Sequence, residues 1–218
     1  MTIQHSITAD GSSTLYSSKY KERYHSSFGA VGESQHIFIE QGLNLFPFKK
    51  EISIFEMGFG TGLNVLLTAL NGEQKIRYVS LEAEPLEAGI YEQLNYPSLI
   101  SHPDASKIYQ LLIKAPWNKN VQITSTFELL KAHQRLQEFK TSEKFDLIYY
   151  DAFSPGVQPE LWTKEVFYKI YQMCHPQAML VTYSSRESVR QAMEATGFKV
   201  ECLPGPPGKR HMVRAIAS

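Results

Sequence analysis

The stretch ISIFEMGFGTGLNVLLTAL, residues 52–70, constrains the fold more than any other part of the chain. It begins with the apolar and β-branched residues of a buried strand and ends with apolar residues at helical spacing. Gly58, Gly60 and Gly62 lie between these two parts and permit a tight turn that approaches a ligand closely. The stretch therefore predicts a strand, a glycine turn, and a helix whose N-terminus offers unpaired N–H groups.

Strand and helix patterns alternate along the rest of the chain. We predict seven strands: Ile52–Glu56, Ile76–Glu82, Val121–Thr126, Phe145–Asp151, Ala178–Ser184, Phe198–Leu203 and His211–Ala217. Helices are predicted over residues 62–70, 85–94, 105–115, 126–139, 164–174 and 187–197. This alternation indicates an α/β fold with a mostly parallel sheet and helices on both faces. The link PGPPGKR is too short for a crossover helix, so the last strand should run antiparallel to its neighbour.

Composition favours one cytoplasmic domain. A chain of 218 residues can bury one substantial core. Its polar start lacks the apolar run of a signal peptide, and no long apolar segment suggests a membrane partner. The 22 basic residues balance the 22 acidic ones, so a nucleic acid would have to bind a local cationic patch. Cys174 and Cys202 lack the spacing of a zinc site, so we expect no metal and expect both cysteines to be buried.

Acidic residues stand at the ends of the strands nearest the glycine turn. Glu56 precedes the glycines, where a negative charge favours a cationic ligand over a pyrophosphate. Glu82 ends the second strand, where a carboxylate can accept both ribose hydroxyls of an adenosine, and Glu84 is the alternative. Asp151 ends the fourth strand, at the sheet edge where open α/β folds bind ligands. We therefore predict that Asp151 is catalytic.

The text E-x-G-x-G-x-G resembles the first motif of the Rossmann-fold methyltransferases. That resemblance implies a class I methyltransferase fold, with a seven-stranded, mostly parallel sheet and an antiparallel last strand. It implies S-adenosylmethionine as the cofactor, bound by Glu56, Gly58, Gly60, Gly62 and Glu82. Methyltransferases often carry an Asp near the adenine at the third strand. This chain has ITSTFE there, so Ser125 is our candidate, with Thr126 as the alternative.

Three ordered motifs resemble one family more closely: EMGFGTGLN, the loop DAFSPGVQPELW that begins at Asp151, and GPPGKRHM. From about Leu15 onward the chain is similar to the methyltransferase half of MnmC, which completes 5-methylaminomethyl-2-thiouridine at the tRNA wobble position. The likeness adds Asn64 to the expected cofactor site. We expect residues 1–40 to form an N-terminal extension packing on the core, and residues 41–218 to form the methyltransferase domain.

The resemblance implies an enzyme that methylates the primary amine of 5-aminomethyl-2-thiouridine in the tRNA anticodon stem-loop. Asp151 is expected to orient the amine and take up its proton. Bifunctional MnmC carries an FAD-dependent oxidase domain, but we find no second glycine motif for FAD, so we expect a stand-alone form supplied by precursor-making enzymes. The expected substrate-binding residues are Phe153, Pro155, Trp162, Lys209 and Arg210, with Tyr150 as a further aromatic candidate and Lys19, Lys21, Arg23 and Arg214 as further phosphate contacts.

Two other functions remain open from the sequence. Aminopropyltransferases of the spermidine synthase type share the fold, the glycine turn and an Asp after the fourth strand, but their loop resembles D-[SG]-[ST]-D-P. This chain has DAFSP and lacks the second acid. A module that binds S-adenosylmethionine or RNA without turnover is the third possibility, and the combination of Glu56, Glu82 and Asp151 argues against it.

Overall fold

The chain forms a small N-terminal sheet and a large central one, in a computed structural model that describes residues 2–218. The strands are β1 (Ile3–Ile7), β2 (Ser13–Ser17), β3 (Glu22–Arg23), β4 (Glu51–Met57), β5 (Lys75–Glu82), β6 (Asn120–Gln122), β7 (Phe127–His133), β8 (Phe145–Tyr150), β9 (Cys174–Thr182), β10 (Phe198–Pro204) and β11 (His211–Ala217). β1, β2 and β3 make an antiparallel sheet. The other eight strands follow the spatial order β10-β11-β9-β8-β4-β5-β7-β6.

Seven α-helices accompany the strands within residues 2–218. They are α1 (Ala30–Ser34), α2 (Leu63–Asn71), α3 (Ala88–Tyr91), α4 (Tyr96–Leu99), α5 (Ala105–Lys114), α6 (Lys164–Gln172) and α7 (Glu187–Glu194). A π-helical turn, Gln35–Glu40, continues α1, and short 3₁₀ turns cover Leu43–Leu45 and Pro159–Leu161. No helix within residues 2–218 has both the length and the apolar character needed to cross a bilayer.

The order of the strands places a crevice beside β4. β5 and β8 flank β4 and run parallel to it, and the chain visits β5 and β7 on one side before crossing to β8 on the other. Open α/β sheets bind ligands at the carboxyl ends of such a reversal point. The α/β class is confirmed, and so is the antiparallel last strand, because β11 pairs antiparallel with both β9 and β10.

Each face of the large sheet has its own apolar core. Ile54, Tyr78 and Tyr149 point to the face covered by α2 and α5, whereas Phe55 and Ile148 point to the face covered by α6 and α7. All six residues of β8 are buried, as expected for a central parallel strand covered on both sides. These two cores fix the strand ends at which a site can be built.

The predictions of the third strand and of the helix after it were wrong. Val121–Thr126 is not one strand: β6 ends at Gln122, and residues 123–126 turn back into β7. Residues 126–139 are not a helix, because β7 occupies Phe127–His133 and pairs in parallel with β5. Glu, Leu, Lys and Ala favour helices intrinsically, but pairing with β5 buries Phe127 and Leu129 on one sheet face and overrides that preference.

Three smaller predictions also differ from the structure. Within residues 2–218 the large sheet has eight strands and not seven, because β7 forms where a helix was predicted. Within the helix predicted over residues 85–94, only α3 is α-helical. Cys174 is buried as expected, whereas Cys202 is exposed on β10.

Gly197 provides a test of the fold. It follows α7 with φ +106°, and an added Cβ would lie 3.1 Å from the Tyr171 ring. We expect Gly197→Ala to lower the free energy of unfolding by about 1–3 kcal/mol, because a side chain is strained in that backbone region. Gly89→Ala is the matched control, since Gly89 lies within α3 with no atom near its Cβ position. Urea unfolding that shows equal losses for both variants would contradict this account.

Candidate active site

A cavity of about 850 Å³ opens at the carboxyl edge of the large sheet. Met57, Glu82 and Asp151, at or just after the ends of β4, β5 and β8, line this cavity. Residues 19–27 of the N-terminal segment line it as well. Its volume lies within the range of about 300–1,000 Å³ that is usual for small-molecule sites. The crevice predicted by the strand order is therefore a real cavity.

The glycine turn brings the backbone close to this cavity. Gly58 has φ +94°, and a Cβ at this position would lie 2.9 Å from the Asp151 carbonyl oxygen. Gly60 has φ +50° and lines the cavity beside Gly58. Gly62, with φ +76°, does not line the cavity but allows the turn into α2. Two of the three predicted glycines thus face the cavity, and the third shapes the turn behind them.

Glu82 is fixed against the glycine turn by two backbone N–H groups. Gly60 N donates to Glu82 Oε2 at 3.1 Å, and Glu84 N donates to Oε1 at 2.9 Å. Burial raises the pKa of Glu82 above its ordinary value. Glu84 also lines the cavity, but its carboxylate pairs with Lys19. Glu82 is therefore the carboxylate held in place by the turn, whereas Glu84 belongs to an ion pair at the cavity.

Asp151 and Asn64 meet inside the cavity. Asn64 stands in the first turn of α2, and its Nδ2 donates to Asp151 Oδ2 at 2.8 Å. The Asp151 backbone N–H bonds to Met57 O at 3.1 Å, which joins the ends of β8 and β4. Burial raises the pKa of Asp151 to about 7, although the Asn64 bond acts in the opposite direction. A carboxyl group with such a pKa can take up a proton near neutral pH.

Glu56 lies behind the cavity and not in its wall. The side chain is fully buried on β4, and Ser80 Oγ donates to its Oε2 at 2.5 Å. Burial raises the pKa of Glu56 to about 8. Glu56, a predicted cofactor residue, therefore does not line the cavity, and the neighbouring residues Met57 and Gly58 form the cavity surface instead.

Ser125 lies at the opposite edge of the sheet from the cavity. It sits in the exposed turn before β7, where Phe127 is level with Ile76 at the start of β5. From Ile76 to Glu82 a strand spans about 20 Å, so neither Ser125 nor Thr126 reaches the site. The carboxyl end of β7 leads instead to residues that do line the cavity: Arg135, Leu136, Gln137 and Glu138.

The predicted aromatic residues separate into one cavity residue and two core residues. Phe153 lines the cavity, and the Tyr20 ring stacks on it with centroids 4.6 Å apart. Trp162 is 5% exposed and does not line the cavity; its Nε1 donates to Phe153 O at 2.8 Å. Tyr150 is fully buried against Trp162. Trp162 therefore supports the loop that carries Phe153, and Pro155 of that loop does not line the cavity either.

The cationic residues predicted to contact phosphates also differ in whether they line the cavity. Lys209 lines the cavity, but its Nζ pairs with Glu33 and lies 4.1 Å from the centre of the Tyr183 ring. Arg210 is exposed and lies outside the cavity lining. Arg214, on β11, pairs with Glu201. By contrast, three cations of the N-terminal segment line the cavity: Lys19, Lys21 and Arg23.

Other residues of the N-terminal segment reach the site through contacts that no local pattern indicates. Glu22 Oε2 accepts a hydrogen bond from Ser154 N at 2.9 Å, which ties β3 to the loop after β8. The Tyr24 ring packs edge-on against Phe153 and lies against Gly60. Tyr20, Glu22, Tyr24 and Glu33 were all missed from the sequence. The only available signal was the density of tyrosines and charges in residues 16–27.

These residues fit S-adenosylmethionine. The glycine turn leaves open the space that side chains at positions 58 and 60 would fill. Carboxylates at Glu82 and Asp151 offer acceptors for ribose hydroxyls and for a cationic ligand. Within residues 2–218, no three His, Cys, Asp or Glu side chains are grouped closely enough to hold a metal ion.

Comparisons with known proteins agree with this chemistry. The chain is 28% identical over 212 residues to the tRNA 5-methylaminomethyl-2-thiouridine biosynthesis bifunctional protein MnmC of Campylobacter hominis, covering 92% of this chain and 31% of the relative. It is 29% identical over 233 residues to the protein of the same name from an Azoarcus species, covering 96% of this chain and 34% of that protein. The chain therefore spans about a third of the length of these relatives.

Solved structures show the same architecture. MnmC2 from Aquifex aeolicus superposes with a TM-score of 0.80 and 29% identity, over 98% of this chain and 70% of that one. The N-methyltransferase NodS from Bradyrhizobium japonicum superposes with a TM-score of 0.50 and 14% identity, over 81% of this chain and 91% of NodS. The second likeness shows the fold alone.

A family profile covers half of the chain. The profile describes an S-adenosyl-L-methionine-dependent methyltransferase and matches residues 107–218, which include β7, β8, Asp151 and the C-terminal hairpin of β10 and β11. The glycine turn and Glu82 lie before the matched range and complete the same cavity. The chain belongs to this family of S-adenosyl-L-methionine-dependent methyltransferases.

Proposed function

We propose that this chain methylates the primary amine of 5-aminomethyl-2-thiouridine at the wobble position of tRNA. The observation that carries the proposal is Asp151, a cavity-facing carboxyl group fixed by Asn64 beside the glycine turn of a methyltransferase. The printed name of the MnmC relatives supports the choice of nucleoside. The chain's likeness to MnmC2 covers nearly its whole length, which supports the same choice.

Gly58, Gly60, Asn64 and Glu82 are the proposed cofactor residues. Glu82 retains free lone pairs on both oxygens after accepting its two backbone bonds, so it can accept the ribose hydroxyls. S-adenosylmethionine supplies a methyl group activated by its positive sulfur, and the products are the methylamine, S-adenosylhomocysteine and a proton. Gly62 and Glu56 lie outside the cavity lining: Gly62 shapes the turn into α2, and Glu56 supports the residues next to it.

Asp151 is the proposed catalytic residue. Only a neutral amine has the lone pair needed to attack a methyl group, so the substrate must lose a proton during the reaction. An ordinary carboxylate is a weak base, but burial brings the pKa of Asp151 close to neutrality. Asp151 accepts a hydrogen bond from the amine, orients it, and takes up the proton that the nitrogen sheds.

Phe153 and the N-terminal segment are the proposed base-binding elements. A base in an anticodon loop is unpaired and is commonly recognised by stacking on aromatic rings. Phe153, Tyr20 and Tyr24 form an aromatic cluster that lines the cavity. Lys19, Lys21 and Arg23 are placed beside it to contact phosphates, which position an RNA without reading its sequence. Residues 1–40 are thus part of the catalytic unit, together with the domain of residues 41–218.

The proposed substrate sets two further conditions. Another enzyme must first place the aminomethyl group on the uridine, because methyl transfer cannot create the amine. We also propose that the reaction takes place in the cytoplasm, where tRNA is matured. Lys209 and Arg210 remain proposed phosphate contacts at the cavity rim, with Lys209 already neutralised by Glu33.

The decisive assay incubates the protein with methyl-labelled S-adenosylmethionine and tRNA that carries 5-aminomethyl-2-thiouridine. We expect label in 5-methylaminomethyl-2-thiouridine, and none in a control tRNA with unmodified uridine at that position. A parallel reaction offers putrescine and decarboxylated S-adenosylmethionine. Product only in that reaction would identify an aminopropyltransferase, and cofactor binding without either product would identify a non-catalytic module.

Asp151→Ala is expected to lower the rate of methyl transfer by at least about a hundredfold, the usual contribution of a positioned acid–base group. Binding of S-adenosylhomocysteine should change less than the rate, because Asp151 serves the amine. Asp104→Asn is the matched control, since Asp104 is exposed and lies outside the cavity. Single-turnover kinetics measure the rate, and wild-type activity in Asp151→Ala would exclude a catalytic role.

The rate should depend on pH through Asp151. Its pKa is raised to about 7, and only the ionised form accepts a proton, so kcat/KM should rise as pH increases through about 7. At pH 6 about one-tenth of Asp151 would be ionised. Ionisation of the substrate amine adds a second pH dependence that Asp151→Asn retains. If Asp151→Asn also keeps the rise near pH 7, then Asp151 is not its source.

Glu82 and Glu84 can be distinguished by cofactor affinity. Hydrogen bonds to a charged group contribute about 1.5–3 kcal/mol, so Glu82→Gln should weaken S-adenosylhomocysteine binding about ten- to hundredfold. Glu84→Gln should weaken it less than about threefold, because Glu84 is already paired with Lys19. Titration calorimetry measures both affinities. The reverse order of effects would assign the ribose to Glu84.

A further inference from the structure

Asn64 acts on two acidic residues, Asp151 within the cavity and Glu56 outside it. Asp151 faces the cavity and accepts the Asn64 Nδ2 bond at 2.8 Å. Glu56 lies one residue before Met57, on the buried side of the same turn. Among the described residues, Glu56 Oε1 and Asn64 Oδ1 are both buried without a hydrogen-bond partner, and the Asn64 amide lowers the pKa of Glu56 against the effect of burial. Asn64 itself is only 5% exposed.

The surroundings of Glu56 are unsuited to a negative charge. Its side chain is 0% exposed, and among residues 2–218 its Oε1 has no hydrogen-bond partner. The described part of the chain contains no salt bridge to Glu56. The groups that face it are Asn64 from α2, Ser80 and Tyr78 from β5, Tyr149 from β8, and Asp151. An isolated buried carboxylate is costly, so this setting favours the protonated form.

We propose that Glu56 is a neutral positioning residue that holds the Asn64 amide, which in turn keeps Asp151 ionised and directed into the cavity. The proposal rests on the catalytic role proposed for Asp151. It gives Glu56, the acid of the glycine motif, a positioning role outside the cavity in place of direct contact with the cofactor.

The titration of the pair agrees with this arrangement. Burial raises the pKa of both groups, to about 8 for Glu56 and about 7 for Asp151, and the negative charge of Asp151 further raises the pKa of Glu56. Two neighbouring carboxyl groups in a buried site do not both ionise readily. Asp151 faces the cavity and accepts the Asn64 Nδ2 bond, whereas Glu56 is fully buried with its Oε1 unpartnered among the described residues, so this geometry places the charge on Asp151 and the proton on Glu56.

This division of charge has a chemical use. With Glu56 neutral, the site holds a single negative charge at Asp151, where the amine proton must go. If Glu56 were ionised instead, its charge would raise the pKa of Asp151 and keep Asp151 protonated at neutral pH. A glutamine at position 56 would therefore mimic the working state, whereas an apolar residue would remove the polar group beside Asn64 and Ser80.

Infrared difference spectroscopy on the full chain tests the proposal without any substrate. At pH 7.5 the wild-type protein should show the carbonyl band of a protonated buried carboxyl group that Glu56→Gln lacks and Asp151→Asn retains. Absence of such a band in the wild type, or its persistence in Glu56→Gln, would overturn the proposal. Because no tRNA is used, this outcome is independent of whether the proposed reaction is correct.

Kinetics then separate positioning from simple structural support. Glu56→Gln should keep kcat within about threefold of wild type and leave the rise near pH 7 in place. Glu56→Leu should lower kcat at least about tenfold with little change in KM for S-adenosylmethionine. A loss in Glu56→Gln as large as that in Glu56→Leu would overturn the proposal. So would a pH rise that moves to lower pH in Glu56→Gln, because it would reveal a charge at Glu56.

Asn64→Ala provides a second variant if Glu56→Leu does not fold, as judged by thermal unfolding. It removes the bond that lowers the pKa of Asp151, so the rise in kcat/KM should move to higher pH. A rise that stays in place would show that Asn64 does not link the two carboxyl groups.

Discussion

The close approach of two strand ends, at Gly58 and Asp151, is the constraint on which the site depends. A Cβ at Gly58 would lie 2.9 Å from the Asp151 carbonyl oxygen, and Asp151 N bonds to Met57 O. Glycine lets β4 turn away while β8 ends against it, so one short stretch places the proposed cofactor turn beside the proposed catalytic carboxyl group. This contact holds the ends of β4 and β8 together where Gly58 and Asp151 line the cavity.

The N-terminal segment completes the site from outside the central sheet. Glu22 bonds to the loop that carries Phe153, and Lys19 pairs with Glu84 after β5. Glu33 pairs with Lys209, which joins α1 to the turn between β10 and β11. These ties bring three distant parts of the chain around one cavity. Because the overall charge is balanced, the proposed RNA contacts depend on local cations of this segment that line the cavity, such as Lys21 and Arg23.

The sequence patterns predicted those features of the fold that depend on residues close together in the chain. The strand, turn and helix of residues 52–70, the end of α7 shortly before Gly197 and the positions of Glu82 and Asp151 all follow from periodicity and turn chemistry. The errors arose where distant contacts decide. β7 forms because β5 lies beside it, so Ser125 lies at the edge of the sheet opposite the cavity. Trp162 packs in the core and donates a hydrogen bond to Phe153 O. No spacing in the sequence indicates that Glu22 reaches Ser154, 132 residues away.

A crystal structure of the protein with S-adenosylhomocysteine tests the central claim most directly, because it shows whether the turn and the carboxyl groups form one site. The account predicts ribose hydroxyls on the Glu82 carboxylate, the amino-acid portion against Gly58 and Gly60, and the sulfur facing the Asp151 side of the cavity. Glu56 should not touch the ligand. A product molecule whose ribose lies away from Glu82, or whose sulfur faces away from Asp151, would contradict the account.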